Sequence, residues 1–252
     1  QISLVAAKRM LMQKTQELEK TIAGRDKLYS VIAHDLRSPM GSIKMVLNML
    51  ILNLPAEKIG EEMYELLTMA NQTTEDVFAL LDNLLKWTKS QVGRLNVVSQ
   101  RFLVNEIVVS VIQVFRMVAE AKGITIEVGE CEKLNVIADI DMCKTVLRNF
   151  LSNAIKFSNQ GSKILVSVKR DGDNFARISV RDFGCGISEE DQAKLFHTAT
   201  HFSKYGTNHE EGSGLGLLLC QDFAIKHGGN VYLESVLGEG STFSFTVPIA
   251  ND

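Results

Sequence analysis

The chain has 252 residues, 45% of them hydrophobic and 23% charged, and its formal net charge is −3. This composition is typical of a soluble globular protein of one large or two modest domains, and the weakly acidic charge argues against a protein that coats nucleic acid. No apolar run approaches the roughly 20 residues of a membrane-spanning helix. We therefore expect neither direct nucleic-acid contact nor membrane contact within this chain.

The four cysteines lie far apart, without the paired spacing of a zinc knuckle or a disulfide framework. This usage predicts a reducing compartment, and we expect a cytoplasmic protein. The sequence begins at Gln1 in the middle of a helical pattern and shows no signal peptide. We expect it to be a fragment, and a membrane anchor upstream in the parent protein stays open.

The first half of the sequence carries the periodicity of two long helices. Over residues 1–28, leucines recur seven positions apart in a short coiled-coil-like seam. The apolar pattern then runs on until Asn53, Leu54 and Pro55 break the helix. The apolar stripe of this later part comprises Ile32, Leu36, Ile43, Leu47, Leu50 and Leu54.

A second helix is predicted to begin near Lys58 and to fade near Gly93. Its apolar stripe comprises Ile59, Met63, Leu66, Ala70, Val77, Leu81 and Leu84. Two helices joined by a short turn form an antiparallel hairpin, which cannot bury both stripes by itself. Residues 29–93 are therefore predicted to form a dimeric four-helix bundle with a second copy of the chain.

Residues 94–103 are predicted to be a linker, and residues 104–250 a second domain of α+β type. It should be a two-layer sandwich, in which helices cover one face of a mixed sheet. Helices are predicted over about 105–121, 141–157 and 215–227, and strands over about 124–128, 136–137, 163–170, 175–182 and a closing hairpin at 230–247.

His34 lies about 165° around its helix from the apolar stripe, which excludes a satisfied core histidine and leaves a surface histidine as the alternative. Small Ser38 and Gly41 on the same face leave room for a bulky phosphate donor. Asp35 can hold the Nδ1 proton and so leave the Nε2 lone pair free. Pro39 removes one helical hydrogen bond and predicts a kink or an easily bent point.

Three polar side chains share one face of the helix at 141–157, because Asn149, Asn153 and Lys156 are spaced at i, i+4 and i+7. An isolated trio of this kind is usually a solvated surface. Amide oxygens are nevertheless suitable ligands for Mg²⁺, and a lysine offers a point charge to phosphate. The trio therefore fits a metal-bound triphosphate.

Two glycine-containing segments follow. Residues 182–186, Asp-Phe-Gly-Cys-Gly, come directly after a strand, where a carboxylate can accept from the adenine amino group and reject guanine; an ordinary Asp-Gly turn is the alternative. Residues 212–216, Gly-Ser-Gly-Leu-Gly, open a helix whose first amides can bind phosphate. The second segment is neither a P-loop nor a dinucleotide fingerprint, since the required neighbours are missing.

Together these segments resemble the boxes of sensor histidine kinases, in the order of that family. Residues 30–39 resemble the H-box and residues 147–157 the N-box. The glycine segments and a last one at 238–243 resemble the glycine boxes of GHKL-type ATPases. The resemblance covers about residues 28–248, and whether the parent is a hybrid protein with its own receiver domain stays open.

The resemblance implies that His34 is the phospho-acceptor and Asp35 the assisting acid or base. Ser38 stands where the family usually has a Thr or Asn that helps dephosphorylate its partner, so phosphatase activity stays open. Asn153 and Asn149 are implied as Mg²⁺ ligands. The implied ATP-binding residues are Asn149, Asn153, Lys156, Phe157, Asp182, Gly184, Gly186, Gly212, Gly214, Leu215, Gly216 and Thr242.

The function implied is Mg²⁺-dependent autophosphorylation of a homodimer by ATP, followed by transfer to an aspartate on the receiver domain of a response regulator. A GHKL ATPase that acts as a conformational clamp is one alternative, although clamps lack the H-box helix. An inactive nucleotide-binding scaffold is the other. We do not expect a zinc site at His197, His201 and His209, whose segment the resemblance makes the ATP lid.

Overall fold

The computed structural model describes residues 2–91, 96–195, 207 and 215–250 of the chain. It divides into two compact units, Gln1–Leu95 and Asn96–Asp252. None of the helices within the described ranges combines the length and the apolarity needed to cross a membrane.

The first unit consists of two long helices and a short one. Helix α1 covers Ile2–Asn53, α2 covers Ala56–Ile59 and α3 covers Glu61–Gln91. α1 continues through Pro39 and ends just before Pro55, whose missing amide cannot extend it. Gly60 has a φ of 84° and turns the chain from α2 into α3, which packs against α1 as the predicted hairpin.

The contact between α1 and α3 rests on a small core and two ion pairs. Ala33 of α1 is buried against Leu81 and Leu85 of α3. Arg37 donates to the Asp82 carboxylate, and Lys44 Nζ lies 2.7 Å from Glu75 Oε2. These partly exposed ion pairs stabilise the contact between α1 and α3 by at most about 1 kcal/mol each, so the apolar contacts provide most of its stability.

The predicted stripe of α1 is not the face that meets α3. Ile32, Leu36 and Ile43 are all more than 40% exposed. Ala33 and Met40, on a neighbouring face of α1, contact α3 instead. The small side chain of Ala33 allows close approach of the two helices, and Ile32, Leu36 and Ile43 stay exposed. Leu66 of α3 is likewise exposed, which confirms that the hairpin alone does not bury both stripes.

The second unit is built on a five-stranded mixed sheet in the order β2-β4-β5-β7-β6. Only the β2–β4 pair is parallel, since these strands are joined through a helix, and the other pairs are antiparallel. The strands cover Thr125–Cys131 (β2), Lys163–Asp171 (β4), Phe175–Asp182 (β5), Val231–Val236 (β6) and Gly240–Pro248 (β7).

Helices α4 (Val104–Ala121), α5 (Ile140–Phe157) and α7 (Leu215–Lys226) cover one face of this sheet, and the short α6 covers Glu189–Gln192. Alternate strand residues such as Val166, Ile178 and Phe245 point into the space between the layers and are buried. Phe150 of α5 contacts Phe243 and Phe245, with ring centroids 5.5 and 5.9 Å away. The predicted α+β sandwich with helices on one face is confirmed.

The prediction that residues 94–103 form only a linker is wrong at its end. Gln100–Leu103 forms strand β1, which pairs antiparallel with β3 (Asn135–Ala138) in a separate two-stranded sheet. Phe102 lies opposite Val136 and is the buried residue of this strand. With one buried side chain in four, the strand has no alternation to detect, and its pairing partner lies more than thirty residues away.

Candidate functional site

The N-terminus of α5 is held by a network of hydrogen bonds around Asp139. Its Oδ1 accepts from the amides of Asp141 and Met142, both at 3.0 Å, as an N-cap does. Its Oδ2 accepts from the Val98 amide at 2.9 Å. The Asp139 amide donates to His227 Nε2 at 2.9 Å, which ties α5 to the end of α7. The polar face of α5 is therefore carried on a fixed helix.

That polar face consists of the three residues identified from the sequence. Asn149, Asn153 and Lys156 are partly exposed, while Phe150 and Leu151 on the opposite side are buried. Asn149 Nδ2 donates to the Thr145 carbonyl at 3.0 Å, which directs its Oδ1 away from the helix. A Cβ at Gly216, in the first turn of α7, would lie 2.5 Å from that Oδ1. The glycine thus permits α7 to begin directly beside Asn149.

Asp182 ends β5 in a buried position, at 4% exposure. Its Oδ1 accepts from the amides of Gly184 at 3.0 Å and Ser241 at 3.2 Å. Burial raises the pKa of this carboxyl above its ordinary value, and the backbone hydrogen bonds partly offset the increase. The Gly184 and Ser241 amides thus hold Oδ1 of a buried carboxylate at the end of β5.

Glycines allow the backbone to crowd around this carboxylate. A methyl group at Gly184 would overlap the Phe157 carbonyl, and one at Gly240 would overlap the Asp182 carbonyl. Gly240 also has a φ of 115°, which only glycine adopts readily. The Cys185 amide donates to the Phe157 carbonyl at 3.2 Å. The end of α5, the turn after β5 and the start of β7 therefore meet at one point.

The structure does not bring the predicted residue Thr242 to this point. Thr242 lies opposite Arg181 in the β5–β7 ladder, and side chains alternate along a strand, so it faces away from Asp182. Ser241 takes its place: the residue is buried, its amide bonds to Asp182, and its hydroxyl lies 2.9 Å from Ser235 Oγ. The sequence contains two adjacent hydroxyl residues here, and the register of β5 and β7 decides which of them lies on the side of Asp182.

The H-box residues lie on α1 in the first unit. The side chain of His34 is outside the described positions, whereas Asp35 and Ser38 are exposed on the helix. Gly41 lies beside α3, where an added Cβ would make an ordinary contact with the Phe78 ring at 3.9 Å, so the open space expected beside His34 stays a prediction. Gly41 faces α3 because the α1 face that packs is not the predicted one.

Several predicted residues lie outside the described part of the chain. These are Gly212 and Gly214 of the second glycine segment, the side chain of Leu215, and His197, His201 and His209. Where residues are described, no group of three or more His, Cys, Asp or Glu side chains could hold a metal ion. A cluster of that kind does not include amide side chains such as those of Asn149 and Asn153.

Sequence reasoning missed the residues that hold the C-terminal end of α5. Lys122 Nζ donates to the carbonyls of Ile155 and Lys156 at 2.9 and 3.0 Å. The Thr207 amide also donates to the Lys156 carbonyl at 3.0 Å. Lys156 Nζ lies 5.3 Å from the centroid of the Phe157 ring. A lysine that ends one helix gives no sequence signal that it caps another.

Comparison with known proteins agrees with this geometry. The family described as histidine kinase-, DNA gyrase B-, and HSP90-like ATPase matches residues 138–251. The adaptive-response sensory kinase SasA of Prochlorococcus marinus is 30% identical over 242 residues, covering 95% of this chain and 61% of SasA. Sensor protein EvgS of Escherichia coli (strain K12) is 28% identical, covering 94% of this chain and 20% of EvgS. The chain thus spans less than two thirds of these relatives.

Two solved structures extend the comparison. The catalytic domain of histidine kinase ThkA is 31% identical with a TM-score of 0.51, covering 60% of this chain and 95% of that domain. Full-length ShkA, solved in complex with AMPPNP, has a TM-score of 0.69 at 22% identity, covering 90% of this chain and 46% of ShkA. The second likeness concerns the fold alone.

Proposed function

This chain belongs to the histidine kinase family, and on that premise we propose that it transfers the γ-phosphoryl group of ATP to its own His34. The observation that carries the proposal is the buried Asp182 carboxylate in its glycine-lined turn, beside the polar face of α5. In this proposal the Asp182 carboxylate would accept a hydrogen bond from the adenine amino group. The match of residues 138–251 to a family of ATPases supports an adenine nucleotide as the ligand.

The polar face of α5 would hold the triphosphate and its metal. Asn149 Oδ1 points away from its helix toward the start of α7, and Asn153 and Lys156 follow one and two turns later on the same face. Two amide oxygens and an ammonium group suit Mg²⁺ and phosphate, so the residues present fit the metal. Mg²⁺ supplies charge neutralisation when bound. Gly212, Gly214 and Leu215 belong to the proposed phosphate-binding segment.

At His34 the proposed reaction needs a neutral ring with a free Nε2. The Nε2 lone pair forms a bond to the γ-phosphorus while the bond from that phosphorus to the bridging oxygen breaks, and ADP leaves with the electron pair. Asp35 would hold the Nδ1 proton and stabilise the charge that develops on the ring. The phosphoryl group would then pass to an aspartate on the receiver domain of a response regulator. If the chain also has phosphatase activity, Ser38 would take part in the hydrolysis of that phosphoaspartate by water.

We also propose that the chain acts as a homodimer in the cytoplasm. The apolar residues that the hairpin leaves outside, such as Ile32, Ile43 and Leu66, would be covered by the second copy in a four-helix bundle. A clamp-type GHKL ATPase would have no use for the helix that carries His34. An inactive scaffold would keep the nucleotide site but lose the phosphorylation.

Incubation with γ-³²P-ATP tests the proposal and separates these alternatives. The wild-type chain should acquire label that is labile in acid and stable in alkali, as a phosphohistidine is, and His34→Gln should acquire none. Label that survives His34→Gln would overturn the acceptor assignment. Asn153→Ala should lose the label while keeping the dimer in sedimentation experiments, and unchanged labelling would remove Asn153 from the metal site.

A further inference from the structure

The C-terminal end of α5 is where several proposed nucleotide contacts begin. The last carbonyls of a helix have no partner within the helix and carry its partial negative charge. In α5 the carbonyls of Lys156 and Phe157 belong to residues that the proposed function places at the phosphates and the adenine. A polyanionic ligand approaching this end would be repelled unless the carbonyls were compensated.

One ammonium group provides that compensation. Lys122 Nζ donates to the carbonyl oxygens of Ile155 at 2.9 Å and Lys156 at 3.0 Å. Hydrogen bonds from a charged donor are about twice as strong as neutral ones, and a cation at a helix C-terminus also interacts favourably with the helix dipole. Lys122 therefore both fixes the last turn of α5 and offsets its partial charge.

Lys122 is itself held in place by its own surroundings. Its amide donates to the carbonyls of Ala119 and Glu120 at the end of α4. Gly123, with a φ of 69°, then reverses the chain, and the following Ile124 is almost completely buried. The ammonium group thus extends from an anchored backbone across to α5, rather than from a free surface loop.

Other elements complete the same end of α5. Thr207 donates to the Lys156 carbonyl through its amide and also to the Ser158 carbonyl through its hydroxyl, at 3.0 Å in both cases. The Cys185 amide donates to the Phe157 carbonyl at 3.2 Å. Lys122 is the charged member of this set, so its removal would leave carbonyls that neutral donors do not fully satisfy.

We propose that Lys122 is a positioning residue for nucleotide binding, acting through the last turn of α5 on Lys156 and Phe157. This inference rests on the proposed function, because it assumes that the nucleotide binds at this face. The competing interpretation is that Lys122 contributes only to folding stability, as any helix cap does. The two differ in whether the effect on affinity depends on Lys156.

A double-mutant cycle separates these interpretations. Affinity for AMPPNP with Mg²⁺ is measured by calorimetry for the wild-type chain, Lys122→Met, Lys156→Met and the double variant, and unfolding is followed by circular dichroism. Lys122→Met should weaken binding about tenfold while the chain stays folded at the assay temperature. If Lys122 acts through Lys156, the double variant should bind only slightly more weakly than Lys156→Met alone, since coupled residues are not additive.

Two further variants serve as controls. Lys122→Arg keeps a cation that can donate to both carbonyls, and it should restore affinity to within about threefold of wild type. Lys133→Met removes the same charge from an exposed position in the turn between β2 and β3, and it should leave affinity unchanged. Wild-type affinity in Lys122→Met, or fully multiplicative losses in the cycle, would overturn the inference. A wild-type chain that binds no AMPPNP would instead overturn the proposed function.

Discussion

The two units of this chain bury their apolar residues in opposite ways. The second unit closes a core between sheet and helices, with Phe150 and Phe245 almost completely buried. The first unit buries little more than Ala33, Leu81 and Leu85 within the described side chains, and it leaves larger apolar residues outside. The second unit therefore completes its core within one chain, whereas the first unit leaves apolar surface that the proposed second copy would cover.

Geometry explains the contrast. A sheet has a broad apolar face that helices of the same chain can cover, whereas two helices contact along one seam and leave the rest of each surface exposed. The stability of the second unit should therefore be independent of protein concentration. The stability of the first unit should rise with concentration, because association with another copy adds buried area.

The largest effect is expected from Phe150→Ala. The side chain is buried between two aromatic rings, so its loss should cost about 3–5 kcal/mol of unfolding free energy in the second unit at any protein concentration. Urea unfolding followed by circular dichroism measures this cost. Met117→Ala, at an exposed position of α4, is the control and should cost under about 0.5 kcal/mol. A similar cost for both variants would contradict the closed core.

The next effect concerns Asp182→Asn, which should separate binding from stability in the second unit. We expect ATP affinity to fall about a hundredfold, because the proposed contact with the adenine amino group would lose its charged acceptor. Above its raised pKa, ionised Asp182 destabilises the folded state, so the asparagine should leave stability at pH 7 unchanged or higher.

The pH dependence checks this sign. Any stability advantage of Asp182→Asn should shrink as the pH falls through the raised pKa toward the ordinary value of 3.8, where the wild-type carboxyl is protonated in both states. Thermal melts across this range measure the difference. An advantage that grew toward acid pH would mean that the folded state favours the ionised carboxyl. Equal ATP affinity in the two proteins would remove Asp182 from the nucleotide site.

A smaller effect is expected from Ile43→Ala in the first unit. The side chain is 47% exposed in one chain, so dimerisation could bury about half of it, worth roughly 1 kcal/mol in each copy. Because both copies lose this buried area, the substitution should raise the dimer dissociation constant about thirtyfold. Sedimentation equilibrium measures the constant, and Ser42→Ala on the neighbouring exposed position is the control. If both variants dimerise equally well, Ile43 lies outside the interface.

The smallest effect should come from the ion pair between Arg37 and Asp82. Both side chains are more than one third exposed, and solvent screens such pairs to about 0–1 kcal/mol. A cycle of Arg37→Met and Asp82→Asn, measured by thermal unfolding at low and high salt, should give a coupling energy in this range that falls with salt. A coupling above about 2 kcal/mol would mean that the pair is desolvated in the dimer.

The sequence predicted those parts of the molecule that depend on local patterns. The helices of the hairpin, the strands of the mixed sheet and the polar face of α5 follow from the periodicity of the sequence. The features that the sequence could not predict depend on contacts between residues that are distant along the chain. The pairing of β1 with β3, the choice of Ser241 over Thr242 and the face of α1 that meets α3 are all decided by distant partners. The reach of Lys122 to α5 has the same origin.

The exposed position of Cys185, in the turn that follows Asp182, has a practical consequence for spectroscopy. Cys143 and Cys220 are buried, and burial raises the pKa of Cys143 to about 12, so neither presents a thiolate at neutral pH. Burial also raises the pKa of the half-buried Cys131. A maleimide dye should therefore attach first at Cys185, so the wild-type chain can be labelled beside the proposed adenine site without an engineered cysteine.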